Sequence, residues 1–479
     1  MSKKSAIIVG SGFGSLCCAA LLAKEGLQVK ILEQNYLPGG CTSSYWRKGF
    51  VFEAGATTVV GMDAHMPLRH VVESLGIQIP MRRLETPMKV HQGDILLTRY
   101  QNIDQWIKEV SIAFSGDQEG FWRKCYEVSQ FVWNSSTRYL QFPPTKASDF
   151  LSLIKNFDFP DLGYARYALI STEKMMKKYG VDTPQFRAFV NEQLMITAQN
   201  TPEEVNFLFG AAALCYTNYG NYYIDGGLVN LVNPIIQYME ENGGEIIYRT
   251  GVKSIEKKGQ GYHISTTKEA YDADFVVSGI PINNTKQIFP GLNLKEGDIM
   301  ESKQLNGAFQ MGIGFRSDQE FDCLHHQIHL DQPLPETNSH SIFISLSHSQ
   351  DTTRSDEPGH RVASISTHIA DPENTIVENE KTEEAILDEL EKRGFLKRED
   401  IVYQHSSSPQ SWYKWTRREW GFVGGYPQYL KIKPWQMLDA RLDRDKAYIC
   451  GDTVYPGQGI PGTALSGIIA YEKLKSDWL

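Results

Sequence analysis

Short apolar runs cluster at the two ends and in the middle of the chain, and each is punctuated by glycine. Ala6-Ile7-Ile8-Val9 has the length and continuity of a fully buried strand. A glycine-rich turn follows at once. The stretch from Ser15 to Glu25, rich in Ala and Leu, predicts a helix that Gly26 stops, and Val29 to Leu32 predicts a second strand ending at Glu33. Strand, turn, helix and strand in about thirty residues is the length of one βαβ unit. Residues 244–278 repeat the strand signal in Glu245-Ile246-Ile247-Tyr248, Gly251 to Ile255 and Phe275-Val276-Val277-Ser278, preceded by a helical pattern from Leu228 to Glu241. Near the end, Ala447-Tyr448-Ile449-Cys450 reads as a buried strand, 451–462 as a glycine-rich loop, and the chain from Ala464 as a helix.

Between these ordered pieces lie two longer blocks. Residues 76–205 are mostly helical in period and rich in aromatics, as at Phe121-Trp122 and Phe131-Val132-Trp133, whereas 305–430 alternate like strands with a polar interruption around 348–360. This pattern predicts an α/β protein in which 1–75, 206–300 and 431–479 assemble one Rossmann-like domain. A second, α+β domain is inserted as 76–205 and 301–430. A chain of 479 residues exceeds what one hydrophobic core usually supports, which agrees with two domains.

Bulk composition narrows the functional classes. Hydrophobic residues at 41% and charged residues at 22% are ordinary globular usage, so a largely disordered chain is excluded. The formal net charge of −9 is the wrong sign for a phosphate backbone, and nucleic acid is not an expected partner. Seven dispersed cysteines without a CxxC pair read as reduced thiols. The first strand begins too early to leave room for a signal peptide, and no apolar run reaches membrane-spanning length. A cytoplasmic protein, at most peripheral on a membrane surface, is the expectation.

The candidate chemistry lies in the glycine loops. In Gly10-Ser11-Gly12-Phe13-Gly14-Ser15, Gly10 permits the tight turn after the strand and Gly12 a close approach of backbone to a pyrophosphate. The helix behind them directs its positive end at the phosphates. Ser15 stands where a third fingerprint glycine is usual and is small enough for close helix–strand packing. Glu33, nineteen residues after Gly14, is placed to accept a ribose hydroxyl and would repel a 2′-phosphate. Gly39-Gly40 allows a second close backbone pass. Gly451-Asp452-Thr453 and Pro456-Gly457-Gln458-Gly459-Ile460 place a carboxylate and a glycine-rich helix start after the late strand, which suits a polyol chain and a ring carbonyl, and equally a plain turn.

The string from Ile7 to Gly55, including GSGFGSL, LEQNYLPGG and GFVFEAG, resembles the N-terminal signature of the FAD-dependent amine oxidase and phytoene desaturase superfamily. The ending YICGDTVYPGQGIPGTALSG and the middle string YGNYYIDGGLVNLVNPIIQYMEENGGEIIYRTGVKSI resemble its carotenoid desaturase, carotenoid cis–trans isomerase and retinol saturase branch. Together these islands span roughly a quarter to a third of the chain. The resemblance implies FAD as cofactor. Gly10, Gly12, Phe13 and Gly14 would cradle its pyrophosphate with Gly39 and Gly40 alongside, Glu33 would hold the adenosine ribose, and the Val252 backbone would meet the adenine. Gly451 and Asp452 would contact the ribityl or pyrophosphate part, and Gly459 and Ile460 would lie near the flavin ring. Many relatives carry Arg after the glycine pair, where this chain has Cys41. One complete fingerprint is present, so no dedicated second nucleotide site is expected.

The implied activity is oxidoreduction at carbon–carbon bonds of a carotenoid or related lipophilic polyene, by desaturation or cis–trans isomerisation. Saturation of a retinoid-like polyene, an amine or protoporphyrinogen-type oxidase, and a non-enzymatic escort protein that binds lipidated partners are the alternatives. No residue is marked as catalytic acid or base, and Glu53 is a candidate for shaping the flavin site. Cys323, His325, His326 and His329 match no zinc spacing, and alternation there predicts a strand with polar residues outward, so no metal is expected. Cys17-Cys18 reads as packing. Tyr216, Tyr219, Tyr222, Tyr223, Trp412, Tyr413, Trp415 and Trp420 are candidates for an apolar channel or for core. Phe150, Leu151, Leu153, Ile154, Phe157 and Phe159, with Lys174, Lys177 and Lys178 downstream, read either as a membrane-facing surface or as a helical subdomain on its own core. The sequence leaves the oligomeric state open.

Overall fold

The computed structural model describes residues 3–479 apart from 56, 296, 336, 338 and 444. A five-stranded parallel sheet forms one of the two main layers. Its strands are β1 (Ser5–Val9), β2 (Gln28–Leu32), β3 (Glu245–Ile247), β4 (Phe275–Ser278) and β5 (Ala447–Ile449), in the order β5-β4-β1-β2-β3. The registers Ala6 opposite Phe275, Ala6 opposite Val29 and Val276 opposite Ala447 are parallel throughout. A parallel sheet must be covered on both faces, so its strands read as continuous apolar runs. β4 and β5 are buried at every position.

Helix α1 (Phe13–Lys24) starts two residues before the sequence suggests and is buried from Phe13 to Ala23. Its neighbours include helices α3 (Val229–Glu241) and α6 (Ile460–Trp478), which explains why it has little polar face. Gly26, at φ +87°, takes the left-handed turn that ends the helix region. α6 likewise begins earlier than expected, at Ile460, with Pro461 in its first turn. Burial pushes the Cys17 and Cys18 thiols well up, and all seven cysteines are free.

The strand-like alternation of 305–430 produces most of a seven-stranded sheet. Its order is 401–407, 306–316, 360–370, 341–346, 325–329, 88–92 and 95–99. The parallel pairing of His326 with Lys89 joins strands from two distant parts of the chain. One part of this block departs from the strand expectation: Asn379–Lys392 is a helix, which packs Ile386, Leu387 and Leu390 beneath the sheet. Residues 103–197 are largely helical around a core containing Trp106, Trp122, Phe186 and Phe189. Phe207–Leu214 packs into this helical body against Gln118–Ser136, across the expected boundary at 206.

The histidine strand needs a correction. His325–His329 is buried at all five positions, so its polar residues do not face solvent. His325 Nδ1 lies 2.7 Å from Ser345 Oγ, and His326 Nε2 lies 3.0 Å from the Cys323 carbonyl oxygen. Burial pulls these imidazoles down, to about 3 for His325 and about 4 for His326, so both are neutral in ordinary buffers. Among the described residues, no group of His, Cys, Asp or Glu is arranged to hold a metal, and no helix is long and apolar enough to cross a membrane.

Close packing of α1 on α6 rests on glycine. A Cβ at Gly467 would run into the Gly14 carbonyl and approach Cys17 Cβ at 3.2 Å. Gly467→Ala gains about 1 kcal/mol of helix propensity. Overpacking against an unyielding backbone costs about 1–3 kcal/mol, so the clash wins. A lower thermal midpoint, by a few degrees, is expected by calorimetry, and an unchanged or higher one would show that the helices can part.

Candidate functional site

A cleft of about 860 Å³ opens at the C-terminal ends of β1, β2, β4 and β5. In open parallel sheets this edge is where ligands bind, because loops and helix N-termini converge there. Its walls include Gly10 to Ser15, Glu33, Gly39, Gly40, Cys41, Val252, Gly279, Gly451 and Asp452.

The two glycine loops lie against each other. Gly39 N donates to the Ser11 carbonyl at 2.9 Å, and Gly12 forms a parallel bridge with Gly39. Gly10 at φ +84° and Gly39 at φ +96° hold conformations that other residues rarely adopt. Gly12 is different. Its φ is −60°, and a Cβ added there would meet no protein atom closer than 3.7 Å. Neither backbone strain nor packing demands this glycine, so the space beside it suits a ligand that approaches the chain.

Glu33 organises the same turn. Its Oε2 accepts from Ser11 N at 2.8 Å and from Ser11 Oγ at 2.6 Å, and its Oε1 accepts from Asn35 N at 2.7 Å. Thr250 N donates to the Glu33 carbonyl at 2.7 Å, which brings Thr250, Gly251 and Val252 to the cleft beside it. No side chain among the described residues caps α1, whose N-cap is Gly12. Its first N–H groups therefore keep the donor capacity and positive potential that a phosphate uses. Ser43 Oγ, on the wall, is buried without a partner among the described residues. This donor set fits the phosphates and polyol of a flavin dinucleotide.

Other expected positions fall differently. Asp452 lies on the wall, but Gly459 and Ile460 are not among the lining residues, and Thr463 reaches it instead from the first turn of α6. Glu53 is buried in an ion pair with Arg354 at 2.5 Å and accepts from Ser44 Oγ and Leu228 N; the hairpin it closes puts Tyr45 and Ala54 on the wall. The aromatic candidates are dispersed. Tyr219 packs in the helical core, Tyr216 packs against it, Tyr222 and Tyr223 form a short strand, and Trp412 is buried. Tyr413, Trp415 and Trp420 line the nucleotide cleft.

Three further features complete the wall, and of these the sequence drew notice only to Cys41. Arg418 enters the cleft and pairs with Asp452 at 2.9 Å. Cys41 lines the wall as a protonated thiol, its pKa raised by burial. Tyr45 Oη lies 2.7 Å from His405 Nε2, and burial holds His405 at about 4 and raises Tyr45, so the pair is neutral. Cys41 and Tyr45 had a local signal, one and five residues beyond Gly40, and Arg418 had none.

The sequence profile of the flavin containing amine oxidoreductases matches residues 16–472. Prolycopene isomerase of Daucus carota is 24% identical over 98% of this chain and 80% of its own length. All-trans-retinol 13,14-reductase of Danio rerio is 27% identical over 58% of this chain and 48% of its own. The 4,4'-diaponeurosporene oxygenase of Staphylococcus aureus is 21% identical over 99% and 98%. Among solved structures, putrescine oxidase with bound putrescine superposes with a TM-score of 0.64 at 13% identity, covering 99% of both chains. An oxidoreductase from Methanosarcina mazei gives 0.63 at 17%, covering 98% of this chain and 100% of that one.

Gly12→Ala isolates the ligand from the fold. Stability is expected to change by less than about 1 kcal/mol, since the N-cap conformation is ordinary and the space is free of protein. FAD affinity, measured by flavin fluorescence quenching, is expected to fall at least tenfold; unchanged affinity would mean that the dinucleotide does not approach residue 12. On the match of its profile over almost the whole sequence, the chain belongs to the flavin containing amine oxidoreductase family and is an FAD-dependent oxidoreductase.

Proposed function

We propose that this enzyme acts on carbon–carbon bonds of a carotenoid-like polyene, by desaturation or cis–trans isomerisation. The observation that carries this reading is the span of the likeness: relatives named for prolycopene and diaponeurosporene match 98% and 99% of the chain, both blocks between the glycine motifs included. Saturation is a second reading, supported by the likeness to a retinol reductase over 58% of the chain.

When bound, the flavin supplies electron-pair chemistry at carbon that amino-acid side chains lack. The chain's own residues bind and orient it. The amides from Ser11 to Gly14 with the N-terminus of α1 hold the phosphates, Gly39 and Gly40 bring backbone beside them, and Glu33 with the Val252 backbone holds the adenosine. Gly451 and Asp452 would hold the polyol; Gly459 and Ile460 open α6 just behind the cleft, and Thr463 is the residue of that helix start on its wall. Cys41 and the Tyr45–His405 pair keep their neutral forms, which suits an apolar substrate.

Substrate delivery from a bilayer surface belongs to the same proposal. Helix α2 (Ala147–Lys155) buries Asp149 and exposes its apolar side, the reverse of a helix docked on a core. Leu151 is 68% exposed, Ile154 72% and Phe159 84%, with Phe150, Phe157 and Leu162 also open. Exposed Lys155 and Arg166 accompany them, which suits an anionic headgroup layer.

Expression in a host that makes lycopene or its poly-cis precursors, with pigments resolved by chromatography, tests the reaction. A changed polyene is expected; unchanged pigment across several carotenoid backgrounds, with amines oxidised instead, would overturn it. For the surface, the protein is expected to float with anionic liposomes at low salt. Replacing Leu151, Ile154 and Phe159 with Ser should reduce binding at least tenfold, since each buried apolar side chain contributes about 1.5–3 kcal/mol. Wild-type protein that stays at the bottom of the gradient would end the membrane reading.

A further inference from the structure

Three segments of the wall carry charge or aromatic rings from outside the glycine motifs, and one crosses the cleft. Residues 415–420 start in the last turn of helix α5 (Pro409–Thr416) and run as a strap between two anchor points. On one side, Gln34 Nε2 donates to the Thr416 carbonyl at 2.7 Å, Asn35 Nδ2 to the Trp415 carbonyl at 3.1 Å, and Tyr36 meets Trp415 edge-on at 5.4 Å. On the other, Asn284 Nδ2 donates to the Arg417 carbonyl at 2.9 Å, and Asn283 Nδ2 to Glu419 Oε2 at 2.8 Å. The first anchor follows β2 and the second follows β4. Since β1 lies between them in the sheet, the strap passes over the glycine turn that ends β1.

The strap is held under backbone constraint. Arg417 at φ +58° and Trp420 at φ +54° are left-handed although neither is glycine. Such residues persist where their surroundings fix them, and they concentrate at ligand clamps. Among the described residues lining the cleft, the cationic side chains are Lys414, in the last turn of α5, and Arg417 and Arg418 of the strap. Lys414 and Arg417 are exposed. The Arg418 side chain is 12% exposed, lies over the Phe422 ring at 4.4 Å and donates from Nε to the Phe422 carbonyl at 2.9 Å. Its Nη2 donates to Asp452 Oδ2 at 2.9 Å. A guanidinium has donors to spare beyond these two bonds, and its planar fork matches phosphate oxygens.

We infer that Arg418 is a cofactor-binding residue: delivered by the strap, it donates to the FAD pyrophosphate while Asp452 and Phe422 hold its plane. This inference rests on FAD occupying the cleft. It puts a positive side chain beside Cys41, on the wall where the second glycine loop offers a neutral thiol. It also makes cofactor retention depend on a segment far in sequence from the glycine fingerprint.

Apoprotein of the wild type, Arg418→Gln and Arg418→Lys separates the possibilities. FAD binding is read by fluorescence quenching, and ADP and adenosine binding by competition. With Arg418→Gln, FAD and ADP affinities are expected to fall roughly ten- to a hundredfold, as for loss of a charge-assisted hydrogen bond, with adenosine unchanged. Arg418→Lys should lie between. In the wild type, ADP affinity should weaken with added salt while adenosine affinity does not, a result that needs no variant to fold. Equal affinity of Arg418→Gln and wild type for FAD and ADP would overturn the inference, as would an equal loss for adenosine. Failure of the wild type to bind FAD would instead overturn the reading of the cleft itself.

Discussion

The first turn of α1 reaches the floor of a deep cleft without a side-chain cap, and much of the fold exists to hold it there. Unpaired N–H groups inside a protein cost stability unless a partner arrives. The rest of the helix offsets that cost by burying Phe13 to Ala23 against the sheet, α3 and α6. The close approach of α6 needs Gly14 and Gly467 on the facing surfaces. Glu33 fixes the turn itself by accepting from Ser11 twice, so the amides are set before any ligand binds. Preorganised donors of this kind lose little entropy on binding, which is how a cofactor can be held without a covalent bond.

Strand order then decides which parts of the chain share the cleft. β1 is central, and every parallel strand delivers its following loop to the same edge. Residues from the first fifteen positions therefore meet 250–252, 279–281, Gly451, Asp452 and Thr463, and the strap 415–420 joins them from outside the sheet. The positive end of α1 meets a wall bearing Glu33, Glu373, Glu419 and Asp452, and the strap brings the basic residues that oppose those carboxylates. Arg418 and Asp452 balance each other at 2.9 Å, which in the proposed binding mode would let a carboxylate face a polyol beside a diphosphate without leaving an unpaired charge.

The parts legible in the sequence were those whose environment is set within a few tens of residues. β1, α1 and β2 follow one another with a fixed period, so the apolar pattern, the glycines and Glu33 identify the unit and its ligand class together. Arg418 carries no such mark: its partners at the cleft come from β5 and the second glycine loop, and nothing near it in sequence says so. The strand His325–His329 was misread because alternation implies one wet face, whereas His91 and Phe395 cover one side and Phe343 stacks near the other. Helix 379–392, rich in Glu, was lost within a block whose general period is that of strands. For α2 the period marks an apolar side but cannot say which way it faces. A single buried aspartate settles that, through contacts almost three hundred residues away.

Those contacts tie the exposed surface to the cleft. Asp149 accepts from Arg441 Nη1 at 2.8 Å and Nη2 at 3.0 Å, and Arg441 also donates from Nε to Asp477 at 2.7 Å, near the end of α6. The three side chains are 1%, 5% and 4% exposed, so the network is shielded from solvent and salt. Tyr448 of β5 donates to the same Asp477 at 2.8 Å. α2 is therefore fixed to β5 and to α6, which carry Asp452, just after β5, and Thr463, in the first turn of α6, to the cleft wall. In the proposed membrane-bound orientation, the bilayer-facing side chains and the flavin pocket belong to one rigid assembly. An apolar substrate leaving the lipid would then meet a cofactor cleft that this ion-pair network ties to the docking surface.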